Sequence, residues 1–307
     1  MAMKPRHFLD IDSFSDDVIR SLIEKARELK QEWLAGGGAT SYCAGRVLIM
    51  IFEKPSTRTR ISFDVAMRQI GGGTISVNSG DMQLGRGETI ADTAKVLSRY
   101  GNAIMLRTNT HASLLELAEH STIPVINGLT DKSHPCQIMA DILTFEEQKG
   151  PIAGRTVAWI GDGNNVANSW IHAAVRFGFA LRIACPEEFR PNPALFDWVQ
   201  AEGGNVKLTT DPKEAVSEAD AVVTDVWVSM GQKDAEKRFT LLAPYQVTAG
   251  LMAQAAAGAI FMHCLPAERG REVTAEVIDG PQSVVFDEAE NRLHAQKAIL
   301  AWCLETQ

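Results

Sequence analysis

At 307 residues the chain is long enough for two domains, at roughly 150 residues each, and 45% hydrophobic with 22% charged residues describes a folded protein, neither disordered nor fibrous. A formal net charge of −8 lacks the basic footprint of a nucleic-acid binder, and the longest apolar runs, such as Val47 to Phe52, are too short to span a bilayer. Five cysteines with no CxxC argue against a disulfide framework or a thiolate metal cluster, and the first residues, Met-Ala-Met-Lys-Pro-Arg-His, contain no apolar leader. The expectation is a cytoplasmic enzyme acting on small molecules, without a metal, a cofactor, a membrane or nucleic acid.

Ser15-Asp-Asp opens the first helix, and Ile19, Leu22, Ile23, Ala26, Leu29 and Trp33 follow at helical spacing until Gly36-Gly-Gly stops it. Val47 to Phe52 reads as a strand buried on both faces. A helix from about Ser56 ends at Gly71-Gly-Gly. Strands are expected at 74–77, 103–107 and 123–126, with helices at 89–100, 111–120 and 135–148. Lys149-Gly-Pro-Ile-Ala-Gly154 marks a boundary. A second alternation follows: strands at 156–160, 180–184, 206–209, 220–226, 259–263 and 283–286, helices at 165–177, 193–202 and 248–256, and a last helix from about Glu288 to Leu304. Alternation on both sides of the boundary predicts an α/β protein of two doubly wound parallel-sheet domains. Ligands of such sheets sit beyond the carboxyl ends of the strands, so the residues after each strand carry the functional reading.

Ser56-Thr57-Arg58-Thr59-Arg60 lies where a buried strand gives way to a helix. Unpaired N–H groups at a helix start, three hydroxyls and two guanidinium groups suit a phosphate. Arg107 follows the run Ala103 to Leu106. His134 opens the helix at Pro135, with Gln137 one turn on, an arrangement that suits a polar ligand as well as a structural hydrogen bond. His263-Cys264-Leu265-Pro266 follows another apolar run. Gly161-Asp-Gly163 after a strand resembles a dinucleotide fingerprint, with Glu187 the nearest acid after the next strand. Asn164 and Asn165 offer amides that suit an amino-acid ligand instead. Asp225 follows a strand and suits a cationic group, and Ser229-Met230-Gly231 beyond it reads as a loop with a glycine hinge.

Ser-Thr-Arg-Thr-Arg at 56–60, His-Pro-Cys-Gln at 134–137, Asp162-Gly-Asn-Asn165, Asp225-x-x-x-Ser-Met-Gly, His-Cys-Leu-Pro at 263–266 and Glu288-Ala-Glu-Asn-Arg292 occur together in this order. The set resembles the aspartate/ornithine carbamoyltransferase family, and Asp-x-x-x-Ser-Met-Gly with His-Cys-Leu-Pro favours its ornithine branch. The resemblance implies transfer of the carbamoyl group of carbamoyl phosphate to the δ-amine of L-ornithine in arginine biosynthesis, and a homotrimer with sites between subunits. It implies a carbamoyl-phosphate domain at 1–148, an ornithine domain at 149–290, and a C-terminal helix at 291–307 that returns to the first domain. By the same resemblance Ser56, Thr57, Arg58, Thr59, Arg107, His134, Gln137, Cys264, Leu265 and Arg292 match carbamoyl-phosphate positions, with Gln83 reaching in from a neighbouring subunit. Asn165, Asp225, Ser229 and Met230 match ornithine positions, and Cys264, Arg107 and His134 are the catalytic candidates. Glu268 departs from the pattern, standing where many family members carry His.

The chemistry fits these groups. Negative charge develops on the carbonyl oxygen and passes to phosphate; Thr59, Arg107 and His134 are donors suited to the first, and Ser56, Thr57 and Arg58 to the second. The attacking amine has an ordinary pKa of about 10.4, so the site must favour its neutral form, which burial does and Asp225 with Cys264 can direct. Two other readings stay open on sequence: an NAD(P)-dependent dehydrogenase carried by Gly161-Asp-Gly163, and a non-catalytic amino-acid or phosphate binding subunit.

Overall fold

The computed structural model describes residues 4–37, 41–82, 87–228 and 234–305. The chain divides into two compact units, Met1–Leu143 with Asn291–Gln307, and Thr144–Glu290.

The first unit opens with α1 (Asp16–Leu34), whose Ile19, Leu22, Ile23, Ala26 and Leu29 form the buried stripe. Then come β1 (Val47–Phe52), α2 (Arg58–Gln69), β2 (Gly73–Asn78), α3 (Ile90–Leu97), β3 (Ala103–Arg107), α4 (His111–His120), β4 (Val125–Leu129) and α5 (Pro135–Lys149), whose last residues belong to the second unit. The four strands are parallel, in the order β2-β1-β3-β4. Val47 to Phe52 is buried almost throughout because both its neighbours are strands and helices cover the faces, which a continuous apolar run requires. β2 is the edge, and its Ile75 is exposed. Ile49, Ile51, Ile104 and Leu106 pack with Leu114 and Leu117 of α4 to make the core on one face.

The second unit holds β5 (Thr156–Ile160), α6 (Asn165–Phe177), β6 (Ala180–Ala184), α7 (Pro193–Ala201), β7 (Val206–Thr209), α8 (Pro212–Val216), β8 (Ala221–Thr224), α9 (Ala235–Leu242), α10 (Ala249–Met252), β9 (Ile260–His263) and α11 (Ala275–Ile278). Its five strands are parallel in the order β7-β6-β5-β8-β9. Ala158, Ile160, Val222 and Phe261 face Val216, Leu251 and Val277 in its core.

The closing helix, α12 (Val285–Leu304), serves the first unit from Asn291 on. Lys30 donates to Asn291 Oδ1 at 2.8 Å, buried Lys297 donates to the Leu29 carbonyl at 3.0 Å, and Trp302 stands edge-on to Phe14 at 5.5 Å. The two parallel sheets and the returning helix are as the sequence predicts.

Two local expectations fail, and three short helices go unread. No strand forms at 283–286: Ser283 makes one isolated bridge to Phe261, and the helix starts at Val285, where Asp287 and Glu288 meet the positive end of its dipole. The β-branched Val284-Val285 pair mimics a strand. The helix expected at 248–256 shrinks to Ala249–Met252, because the next residues tighten into three-residue turns, Gln254 N to Leu251 O and Ala255 N to Met252 O. The short helices α8, α9 and α11 carry too little periodicity to be read.

Among the described residues, no helix is long and apolar enough to cross a membrane.

Candidate active site

In each sheet the chain reverses its winding direction once, between β1 and β3 in the first unit and between β5 and β8 in the second. A crevice opens at the carboxyl ends of the strands at such a point.

In the first unit the crevice is cationic. The turn after β1 delivers Ser56 and Thr57 to the start of α2. The Glu53 carboxylate fixes this turn against the one after β3 by accepting from Thr108 Oγ1 at 2.6 Å and from the Asn109 N–H at 3.1 Å. An open cleft of about 560 Å³ lies beside it, lined by Phe52 to Thr57, Arg60, Ile61 and Asn78 to Gly80. Thr57 occupies the N-cap position without a side-chain cap bond, so the first turn of α2 presents its N–H groups outward. Fully buried Thr59 is the hub: its hydroxyl accepts from Arg107 at 3.0 Å and from Arg292 at 2.8 Å. Arg58, Arg107 and Arg292 all bear on buried His134; burial first, and then these three cations, hold its imidazole well below the usual range. His134 is therefore a neutral donor. Gln137, fully buried, donates its amide to Asp141 at 2.7 Å. A carboxylate only accepts, so the Gln137 NH₂ faces Asp141.

Arg60 does not join this group. Its guanidinium reaches back to Ser76 and to Asn78 at 2.7 Å and lies 4.2 Å over the Phe52 ring, which ties α2 to the edge strand. The first turn of α2 thus divides its arginines, Arg58 toward His134 and Arg60 toward β2 and the open cleft beside it.

In the second unit the crevice is acidic and amide-lined. Asp225, 8% exposed, follows β8, and Thr224 before it donates to the Ile160 carbonyl of β5 at 2.6 Å. Asp225 Oδ1 accepts from the Cys264 thiol at 3.2 Å and from the Val226 N–H at 2.8 Å, and Oδ2 accepts from Asn164 at 2.7 Å. Cys264 is half-buried and is held from behind. His263 Nδ1 accepts the Leu265 N–H at 2.9 Å, with Leu265 in the left-handed region at φ 55°. The ring's Nε2 lies 3.3 Å from buried Glu272, and the His263 N–H donates to buried Glu288 at 2.8 Å. Leu265 is half-buried beside Cys264.

Asn165 is the first residue of α6, but Asn164 makes the observed contact with Asp225 and also caps the helix. Sequence reasoning weighed both asparagines and named only Asn165 as a ligand residue. Asp162 and Glu288 open two of the quoted motifs but receive no role there, and Arg238 and Glu272 lie outside the motifs; what marks all four in the structure is burial of charge, which a sequence does not display. Gln83, Ser229 and Met230 lie outside the described residues.

The dinucleotide reading loses its ground here. The Asn164 side chain already accepts from the Val166 and Ala167 N–H groups at 2.9 and 3.1 Å, so donors that would cradle a pyrophosphate are taken. The Gly163 N–H donates to the Phe189 carbonyl at 2.9 Å, and a Cβ on Gly163 would lie 2.4 Å from that same oxygen. Gly163 is glycine because a neighbouring loop packs on it. Glu187 is exposed and pairs with Arg190 at 3.1 Å.

Asp225, His263 and Cys264 bring a carboxylate oxygen, an imidazole nitrogen and a sulfur within 4.8 Å of one another, a donor set of the kind that suits a transition metal. Spacing along the chain hides this grouping, since β8 and β9 are neighbours only in the sheet. Each donor is already engaged by a neighbour: the thiol by Asp225, Nδ1 by Leu265 and Nε2 by Glu272.

Two family models match the chain, the carbamoyl-phosphate-binding domain of aspartate/ornithine carbamoyltransferases over residues 6–147 and their Asp/Orn-binding domain over 153–303. The chain is 61% identical to an ornithine carbamoyltransferase of Nitrobacter winogradskyi, covering 99% of each sequence. It is 61% identical to one of Rhodopseudomonas palustris, over 98% of this chain and 97% of that protein. Among solved structures it is similar to the ornithine carbamoyltransferase of Pyrococcus furiosus, with a TM-score of 0.93 at 47% identity over 98% of this chain and 97% of that one. It is also similar to the anabolic enzyme of Campylobacter jejuni, with a TM-score of 0.91 at 38% identity over 99% of this chain and all of that one. The chain belongs to the aspartate/ornithine carbamoyltransferase family.

Proposed function

We propose that the chain transfers the carbamoyl group of carbamoyl phosphate to the δ-amine of L-ornithine, giving L-citrulline and phosphate in arginine biosynthesis. The observation that carries this reading is the opposite polarity of the two crevices: Arg58, Arg107 and Arg292 around Thr59 in one unit, Asp225 with Asn164 and Cys264 in the other. The first suits a phosphate dianion and the second an ammonium group.

In this reading Ser56, Thr57 and the open N–H groups of α2 hold the phosphate together with Arg58. Arg107, Thr59 and neutral His134 are the donors for the carbonyl oxygen as charge grows on it, and such preformed donors lower the barrier because they need no reorganisation. Gln137, Leu265 and Arg292 complete the carbamoyl-phosphate contacts, with Gln83 supplied by a neighbouring subunit. Asn165, Asp225, Ser229 and Met230 hold ornithine. A carboxylate beside the thiol directs a neutral amine through Cys264 and Asp225, and it repels a second substrate that carries an extra carboxylate. Phosphate leaves as the new N–C bond forms.

A homotrimer and a cytoplasmic location belong to the same proposal. Exposed Ile61 and Ile75 on the edge-strand side of the first unit support the former. Five free thiols support the latter. Light scattering on the purified protein tests the trimer.

The decisive experiment is citrulline release with carbamoyl phosphate and either L-ornithine or L-aspartate as acceptor. Rapid citrulline formation and negligible carbamoylation of aspartate are expected. No citrulline, or faster use of aspartate, overturns the reading.

A further inference from the structure

We propose that Arg238 is a positioning residue of the ornithine half-site, tying the turn after β5 to the turn after β8 so that Asn164 and Asp225 stay in register. This rests on the assignment of the second unit to ornithine.

Arg238 lies on α9, outside every motif of the sequence, and is only 6% exposed. A buried guanidinium is costly unless its donors are met. Nε donates to the Trp227 carbonyl at 2.6 Å, and one terminal nitrogen donates to the Asp162 carboxylate. The other lies 3.8 Å from Asp234, and the plane stacks 4.3 Å over the Phe189 ring. Trp227 stands two residues after Asp225, and Asp162 two residues before Asn164. One planar group thus grips both turns next to the two residues that meet at 2.7 Å.

The β5 turn has further ties, Gly161 N–H to the Ala184 carbonyl at 2.9 Å, Gly163 N–H to the Phe189 carbonyl at 2.9 Å and Trp159 to the Asp162 carbonyl at 2.9 Å, but none of these three reaches the turn after β8. Asp162 and Asp225 repel one another, and burial together with Asp225 pushes the Asp162 carboxyl up to about 6 against the pull of Arg238. Without the guanidinium the two turns have an electrostatic reason to part. A lysine cannot replace it, because a single ammonium on a flexible stem does not present two donors in a fixed plane.

The test is steady-state kinetics of citrulline formation by the full chain, with melting temperature measured alongside. Arg238→Lys is expected to raise KM for ornithine about tenfold while KM for carbamoyl phosphate stays within about twofold. Asp162→Asn, nearly isosteric, should shift ornithine KM in the same direction by about threefold. The double variant should be no worse than Arg238→Lys alone, since both act through one contact. Arg269→Gln, which breaks an exposed pair with Asp279 in the same unit, should change neither constant. If Arg238→Lys lowers the melting temperature sharply, Asp162→Asn carries the comparison. Equal rises in both KM values, an unchanged ornithine KM, or multiplicative effects in the double variant overturn the proposal while leaving the functional reading intact. Absence of citrulline from the unmodified protein overturns that reading, and the proposal with it.

Discussion

The two crevices share a topology and differ in almost everything else. Each opens where its parallel sheet reverses winding, and each receives the start of a helix: α2 after β1 and α6 after β5. The start of α2 has no side-chain cap, and three arginines surround it and His134. The start of α6 is sealed by Asn164, whose side chain takes two of the first N–H groups, and its near neighbours are Asp162 and Asp225. An open helix start with guanidinium groups attracts an anion; a sealed one beside carboxylates attracts a cation. Topology sets where a ligand sits, and a few side chains set its sign.

The contrast breaks most sharply at Arg58. Arg58→Gly removes a guanidinium from a crevice whose ligand carries its charge in the transition state, and the loss in kcat/KM should be on the order of 10²-fold or more. Turnover within about threefold of the unmodified enzyme removes the phosphate reading of the first unit.

Next in size is Asp225→Asn. The amide keeps the shape and one acceptor but loses the charge that receives Cys264 and Asn164. Ornithine affinity should fall about tenfold to a hundredfold, with carbamoyl-phosphate affinity unchanged, because in the proposed reading only ornithine meets this residue. Titration of each ligand by calorimetry decides it. Parallel losses erase the distinction between the two crevices.

Both residues stand out in the sequence because each comes after a buried apolar run, Asp225 immediately and Arg58 at the start of the helix that follows, and such runs announce strand ends. Arg107 and His263 were read the same way. Arg60 looked equivalent to Arg58, but helical spacing turns it toward β2, and a motif alone does not reveal that direction. Asn164 was overshadowed by Asn165, since which of two adjacent amides caps a helix depends on where the helix starts. Arg238 carries no such signal: the groups it grips lie 11 and 76 residues away in the chain. Val284-Val285 misled in the opposite direction, because β propensity in a short window yields to a tertiary context that builds a helix.

A smaller contrast lies in acid sensitivity. In the first unit burial and nearby lysines lower His294 to about 3, and burial with three arginines keeps His134 well below 6.5. Below pH 6.5 the unfolded chain binds protons that these folded imidazoles refuse. Stability is therefore retained above that pH and lost as pH falls, by at most about 1.4 kcal/mol per pH unit for each histidine. Melting temperature should decline from pH 7 to pH 5, and His294→Gln should make the decline shallower. An unchanged slope in that variant would show that His294 is protonated in the folded state.

The smallest effect is expected where the sequence departs from the family pattern. Glu268 stands just past the Cys264 loop, and a change of charge there invites a large change in ornithine use. The structure argues otherwise. The Glu268 side chain is exposed and engaged with Arg271 at 2.6 Å, an arrangement that contributes at most about 1 kcal/mol in water. What the loop needs from this position is its backbone N–H, which donates to the buried Glu272 carboxylate, the group that also faces His263. Any residue but proline supplies that bond. Glu268→His should therefore alter ornithine KM by less than about threefold, while Glu268→Pro, which deletes the N–H, should cost more than the side-chain change does. A tenfold effect of Glu268→His at unchanged melting temperature would mean that the acidic crevice extends past Asp225 to this position, and the polarity contrast between the two units would then include a third carboxylate.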